Sequence, residues 1–379
     1  MDARTYLTRC MPTRKQVDDF VNPAPGLPAE DNNSGWTFDS ELGWVLKDSF
    51  RHDGVDRSRT YYHYEPSEAR RHINFAGEPC RIHTYGNSFT HCDQVSDGET
   101  WQEYLAAHLQ EPIGNYGVGG YGVYQAYLRM RRVESADPAE YVILNIWCDD
   151  HFRNLDAWRT IRFGQRTPCG FPLPHLRADL SSGRFSEMPN PTPSAEDVYK
   201  LLDADWVFAT FAEDPMLACI LAGQPAETAA DVVPVTLGMP HAAMMGGEQA
   251  DDGARQMARL ALRSTQRVLE MTQEFLATQG SKLMVVLSHT SGVVGQALEH
   301  RPWWDQEFVD YLAGQSYPVI DLRDAHLADH ACFNLPVGEY LQRFYIGHYA
   351  PAGNFFTALA LKAPLVHWLD PGPKPYKGN

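Results

Sequence analysis

No stretch of the sequence approaches the roughly 18 consecutive apolar residues of a membrane-spanning helix, so none is expected. An apolar core near the start is also missing: residues 1–21 carry charges throughout, so no secretory signal is expected. Positive charge is in deficit, with 32 Lys and Arg against 48 Asp and Glu and a formal net charge of −16. So acidic a chain is not drawn to phosphate backbones or anionic lipid, and neither nucleic acid nor a membrane is an expected partner. Cysteine is scarce, odd in number and scattered, at Cys10, Cys80, Cys92, Cys148, Cys169, Cys219 and Cys332. That usage fits reduced thiols rather than a disulfide framework and points to a cytoplasmic protein. Low-complexity tracts and short-period repeats are absent too, which sets aside solenoids and disordered tails.

What is present is an ordinary globular composition, 44% hydrophobic and 21% charged over 379 residues, enough for one large domain with accessory parts. The 26 Pro and 29 Gly imply many loops. Residues 1–79 hold turn signals between aromatic runs and read as an irregular N-terminal extension of short strands and loops. From about Cys80 strands and helices alternate. Strands are predicted at 80–85, 112–116, 141–147, 282–288 and 318–322, with 141–147 apolar enough to be a central parallel strand. Helices are predicted at about 98–109, 121–133, 253–278 and 351–369. Alternation of this kind means a parallel sheet with helices on both faces. Residues 163–247, rich in Pro and Gly, form an insertion that suits a lid or pocket wall. The units expected are thus 1–79 and 80–379, with the insertion inside the second.

Ligands of such sheets bind at the carboxyl ends of the strands, and four polar segments fall there. Gly86-Asn87-Ser88-Phe89-Thr90 follows the first strand, where Ser88 is either an exposed nucleophile or an N-cap. Asn115-Tyr116-Gly117-Val118-Gly119-Gly120-Tyr121-Gly122 follows the second. Its glycines allow backbone amides to face a ligand, and Gly117, Gly119 and Gly122 match a dinucleotide fingerprint, although after the wrong strand. Cys148-Asp149-Asp150-His151, with Arg153 and Asn154, follows the third strand. His348, within Gly347-His348-Tyr349-Ala350-Pro351, precedes the last helix. His326 and His330, with Cys332, have a spacing open to zinc, but a helix surface is the preferred reading. Trp206, Phe208, Phe211, Met216, Met239, Met244 and Met245 of the insertion read as packing, or as an apolar pocket wall.

In this order the four blocks resemble the SGNH (GDSL-type) hydrolase superfamily over about residues 80–160 and 281–369. The resemblance implies a flavodoxin-like α/β/α sandwich with a parallel sheet of about five strands. It implies Ser88 as nucleophile, His348 as general base, and Ser88 and Gly120 as backbone donors of an oxyanion hole. Three positions depart from the family pattern. Asn87 stands where Asp is usual, Asp149 where an oxyanion-hole Asn is usual, and Tyr345 where the Asp that orients the histidine is usual. An ionised Asp149 has no proton to donate, so either it is protonated, or Asn154 or another donor takes the role, or the hole has two donors only. A replacement acceptor for His348 is expected from Asp324, Asp329, Glu339 or a backbone carbonyl, or from the Tyr345 hydroxyl. The expected activity is hydrolysis of a carboxylic ester through an acyl-serine, with O-acetyl groups on a carbohydrate or small alcohol as the favoured substrates. Neither cofactor nor metal is expected. An acyltransferase with the same Ser88 and His348, and a silent binding module on the same fold, are the alternatives.

Overall fold

The computed structural model describes residues 1–22, 35–164, 170–222, 252–333 and 335–376. The chain opens on two helices, Ala3–Cys10 and Arg14–Val21, where strands and loops were expected. Their caps explain them. The Asp2 side chain accepts the Thr5 N–H, and Thr13 and Gln16 form a capping box. Antiparallel pairs follow: β1 (Trp36–Asp39) with β2 (Gly43–Leu46), and β3 (Ser49–Arg51) with β4 (Thr60–Tyr62).

The main sheet consists of β5 (Ile82–Gly86), β6 (Gly114–Asn115) and β7 (Tyr141–Trp147), joined later in the chain by two more strands. Between them comes the antiparallel pair β8 (His175–Ala178) and β9 (Phe185–Met188). The sheet is completed by β10 (Lys282–Ser288) and β11 (Val319–Asp321). The five strands are parallel in the order β11-β10-β7-β5-β6. Counted along the chain this is 2-1-3-4-5, the flavodoxin-like order, with its switch point between β5 and β7.

Successive residues of the central strands feed opposite faces. Val142, Leu144 and Ile146 of β7, with Leu283, Val285 and Leu287 of β10, enter one core alongside Met257, Ala261 and Leu269 of the helix Asp252–Gln279. Tyr141 and Ile143, with Met284 and Val286, enter the other, against Trp101, Leu105, Leu361 and Leu365. Each fully buried Leu or Val contributes about 1.5–3 kcal/mol, so the sheet is the rigid element from which the loops at its carboxyl edge are hung.

Within the expected insertion the helices Ala204–Phe211 and Pro215–Ala222 accompany β8 and β9. Phe211 and Met216 are core residues, and Trp206 and Phe208 pack against that core. Met239, Met244, Met245 and Cys169 lie outside the described residues. Among the described residues no helix is long and apolar enough to cross a membrane.

Candidate active site

Strand β5 ends at Gly86, and Asn87 caps the short helix Ser88–His91 by accepting the Phe89 N–H at 2.7 Å. This turn leaves Ser88 Oγ 2.9 Å from Nε2 of His348, a residue 260 positions away in the loop before the helix Pro351–Trp368. The imidazole packs against the Phe89 ring, which also stacks on Trp147. Ser88 is only 6% exposed, and His348 is half-buried.

The far side of the ring meets a residue that no motif marked. His348 Nδ1 lies 3.1 Å from Oε1 of Gln94, and the same oxygen accepts the His348 backbone N–H at 2.7 Å. Gln94 Nε2 donates to the carbonyls of Asp53 at 2.9 Å and Ile346 at 3.3 Å, which fixes which end of the amide is oxygen. With Nδ1–H directed at Gln94, the Nε2 lone pair is left to receive the Ser88 hydroxyl proton.

None of the four expected orienting groups takes this place. The Tyr345 hydroxyl donates to the His289 carbonyl at 3.2 Å and sits among His326 and Tyr349, beneath the loop. Asp329 accepts the Tyr340 hydroxyl at 2.9 Å. Asp324 and Glu339 are exposed on the helices Leu322–His330 and Val337–Gln342. The helices Leu322–His330 and Val337–Gln342 turn Asp324 and Glu339 to solvent, and Tyr345 is drawn into an aromatic cluster, while Gln94 approaches from the side of the N-terminal strands.

The glycine-rich loop runs beside Ser88. Tyr116 N–H donates to Thr84 O at 2.9 Å and Val118 N–H to Gly86 O at 3.0 Å, extending the ladder beyond β6. A Cβ at Gly117 would stand 2.3 Å from the His91 nitrogen, so only glycine allows this approach. One at Gly119 would stand 3.2 Å from an Asp93 carboxylate oxygen, an unfavourable neighbour for a phosphate. Among the described residues neither the Ser88 nor the Gly120 N–H has a hydrogen-bond partner.

The two candidates for a third donor are otherwise engaged. Asp149 binds Arg162 at 2.6 Å and Arg153 at 2.8 Å. Burial raises its pKa, but the Arg162 and Arg153 guanidiniums outweigh burial and hold the carboxyl below the usual range, so it has no proton to offer. Asn154 spends its N–H groups on Thr265 at 2.9 Å and Ser264 at 3.1 Å, and its carbonyl on the Tyr124 N–H. Asn87 donates to Asp150. Burial pushes Asp150 up to about 7, although Arg153, Asn87 and the Trp147 N–H all donate to it. Arg153, whose guanidinium lies 4.9 Å from the Trp147 ring centre, uses Nε and Nη1 in these contacts. Four residues after Asp149, it was open to being read as that residue's helical partner.

Burial pulls the His348 imidazole below its ordinary value of 6.5, with the Asp93 and Asp53 charges opposing and those of Arg153 and Arg51 reinforcing the shift. A hydroxyl at a helix start that faces a neutral imidazole can attack a carbonyl carbon, and the unpartnered Ser88 N–H can donate to the resulting oxyanion. The other histidine pair serves elsewhere. His326 Nδ1 meets the Tyr340 hydroxyl at 3.1 Å, and His330 Nε2 meets the Leu335 carbonyl at 3.0 Å. Among the described residues no group of three His, Cys, Asp or Glu is placed to hold a metal ion.

No family model and no curated protein matches the chain. Among solved structures it is similar to a protein of the lipolytic G-D-S-L family from Desulfitobacterium hafniense DCB-2. The identity is 11%, the likeness covers 74% of this chain and 97% of the other, and the TM-score is 0.35. So distant a likeness carries no argument about activity.

Proposed function

We propose that the chain is a serine ester hydrolase of the SGNH type, with Ser88 as nucleophile and His348 as general base. The observation that supports this reading is the 2.9 Å contact between Ser88 Oγ and His348 Nε2. Ser88 Oγ attacks the acyl carbon while its proton passes to Nε2. The oxyanion accepts from the Ser88 and Gly120 N–H groups. When the tetrahedral species collapses, the bond to the alkoxide breaks and Nε2 returns its proton to that leaving group. Water then attacks the acyl-serine by the same route in reverse, releasing the acid and restoring Ser88. O-acetyl groups on a carbohydrate or a small alcohol are the proposed substrates, a choice that rests on the resemblance in the four blocks.

The test is hydrolysis of p-nitrophenyl acetate together with labelling by a fluorophosphonate. The native chain should turn over the ester and take the label at Ser88, and Ser88→Ala should lose both with its circular dichroism unchanged. A native chain that neither hydrolyses nor labels would mark a silent binding module and overturn the proposal. Product that shifts to a new ester when an alcohol is added would redirect it to acyl transfer.

A further inference from the structure

Among the described residues no carboxylate hydrogen-bonds the imidazole of the Ser88–His348 pair. The charged groups that bear on His348 are Asp93, Asp53, Arg153 and Arg51. Asp93 is paired with His91, and burial, which would raise its pKa, is overcome by that pairing and by Arg51. The Asp53 carboxylate takes the hydroxyls of Thr60 and Tyr62. Neither acid hydrogen-bonds the imidazole, whereas Gln94 does so at 3.1 Å and holds the backbone of the same residue at 2.7 Å.

Gln94 is itself built into position. Its N–H donates to the Tyr62 hydroxyl at 2.9 Å, and its side-chain nitrogen donates to the Asp53 and Ile346 carbonyls. Its backbone is left-handed, with φ at +72°, and Cys92 two residues earlier has φ at +65°. Non-glycine residues in this conformation persist only where the surroundings over-determine them. Gly347, with φ at +121°, completes the fit, because a Cβ there would stand 2.8 Å from Gln94 Oε1.

We infer that Gln94 is the positioning residue of this site: its neutral amide takes the place of the carboxylate of a serine triad and sets the tautomer of His348. This rests on the proposed esterase reading and deepens it. The amide oxygen can only accept, so the ring turns its Nδ1–H to it and Nε2 stays free to take the Ser88 proton. When the imidazolium forms, Gln94 keeps the ring aligned but adds no opposite charge. A base built this way has no hydrogen-bonded carboxylate to hold its pKa up.

The experiment compares the native chain, Ser88→Ala, Gln94→Ala and Gln94→Glu on p-nitrophenyl acetate across pH, and records the 15N shifts of His348. Loss of activity in Ser88→Ala supports the underlying reading, and native activity in that variant would overturn that reading and the role of Gln94 with it. In Gln94→Ala, kcat should fall by about 10²-fold or more with KM within threefold, because an unheld ring loses much of its value as a base. The 15N shifts should move from the Nδ1–H form in the native chain towards the Nε2–H form. Gln94→Glu keeps the acceptor oxygen and should recover activity to within about tenfold of the native chain, by the same scale of effects. It should also move the acid limb of kcat/KM to higher pH, since a carboxylate favours the imidazolium. A Gln94→Ala chain with kcat within threefold of native and an unchanged tautomer would overturn the inference. A variant that loses activity together with its circular dichroism would point to a structural role instead, and overturn it equally.

Discussion

Gly117→Ala separates the role of the glycine-rich loop from that of the fold. The added methyl would stand 2.3 Å from the His91 nitrogen and 2.7 Å from the Thr90 carbonyl carbon, while ordinary contact begins at 3.4 Å. Both neighbours are backbone of the helix that starts at Ser88, so neither rotates away and the loop must retreat by about 1 Å. Gly120, three residues on, would move with it, and on the proposed reading its N–H would no longer reach the oxyanion. Misplacement by ~1 Å costs about 10²-fold and the loss of one oxyanion donor about 10²–10³-fold. We expect kcat and kcat/KM for p-nitrophenyl acetate to fall together by that factor, as for a contact made only in the transition state. Urea denaturation should show a loss of about 1–3 kcal/mol, small enough to leave the chain folded. Gly338→Ala is the control. A Cβ there meets nothing within 4 Å, in the helix Val337–Gln342, so activity should be unchanged and stability should rise by about 0.5–1 kcal/mol. A Gly117→Ala chain that loses the expected stability yet keeps kcat within threefold would refute the assignment of Gly120 as a donor.

Three further outcomes are expected. Because burial holds His348 below 6.5, and only the neutral ring accepts the Ser88 proton, kcat/KM should stay level down to about pH 6.5 and fall below it; a limb centred above pH 7 would contradict this. Asp93→Asn removes the charge that does most to raise the His348 pKa, so the same limb should move to lower pH, as read from a stopped-time assay between pH 4 and 8. Glu134 accepts the Tyr85 hydroxyl at 2.6 Å, His83 Nδ1 at 2.8 Å and the Ala139 N–H at 2.7 Å in full burial. Glu134→Ala should therefore cost about 3–5 kcal/mol in urea denaturation, and a loss under 1 kcal/mol would show that these groups find other partners.

The parts of the fold that could be read from the chain are those whose pattern is local. Tyr141–Trp147 and Lys282–Ser288 were predicted to the residue, because strands covered on both faces have to be apolar almost throughout. The helix Asp252–Gln279 was legible from its apolar spacing. The helices Ala3–Cys10 and Arg14–Val21 were missed because each is only 8 residues long, although the Thr13–Gln16 capping box was available as a signal. Strand β6 is only Gly114–Asn115, shorter than predicted, since the chain beyond it continues the ladder as a loop.

By itself the sequence determined the alternation of strands and helices, the loops at their carboxyl ends, and the presence there of Ser88, the glycines and His348. These depend on residue type and on spacing over a few positions. Only the tertiary structure decided which side chains meet. Gln94 reaches His348 because Tyr62, Asp53 and Ile346, from three separate segments, close on it. Asp149 is removed as a donor because Arg162, 13 residues on, turns back to it. A hydrogen bond or ion pair is made or lost within about an ångström and a few tens of degrees. Such precision is set by the packing of the whole sheet and its loops, not by any neighbour in the chain.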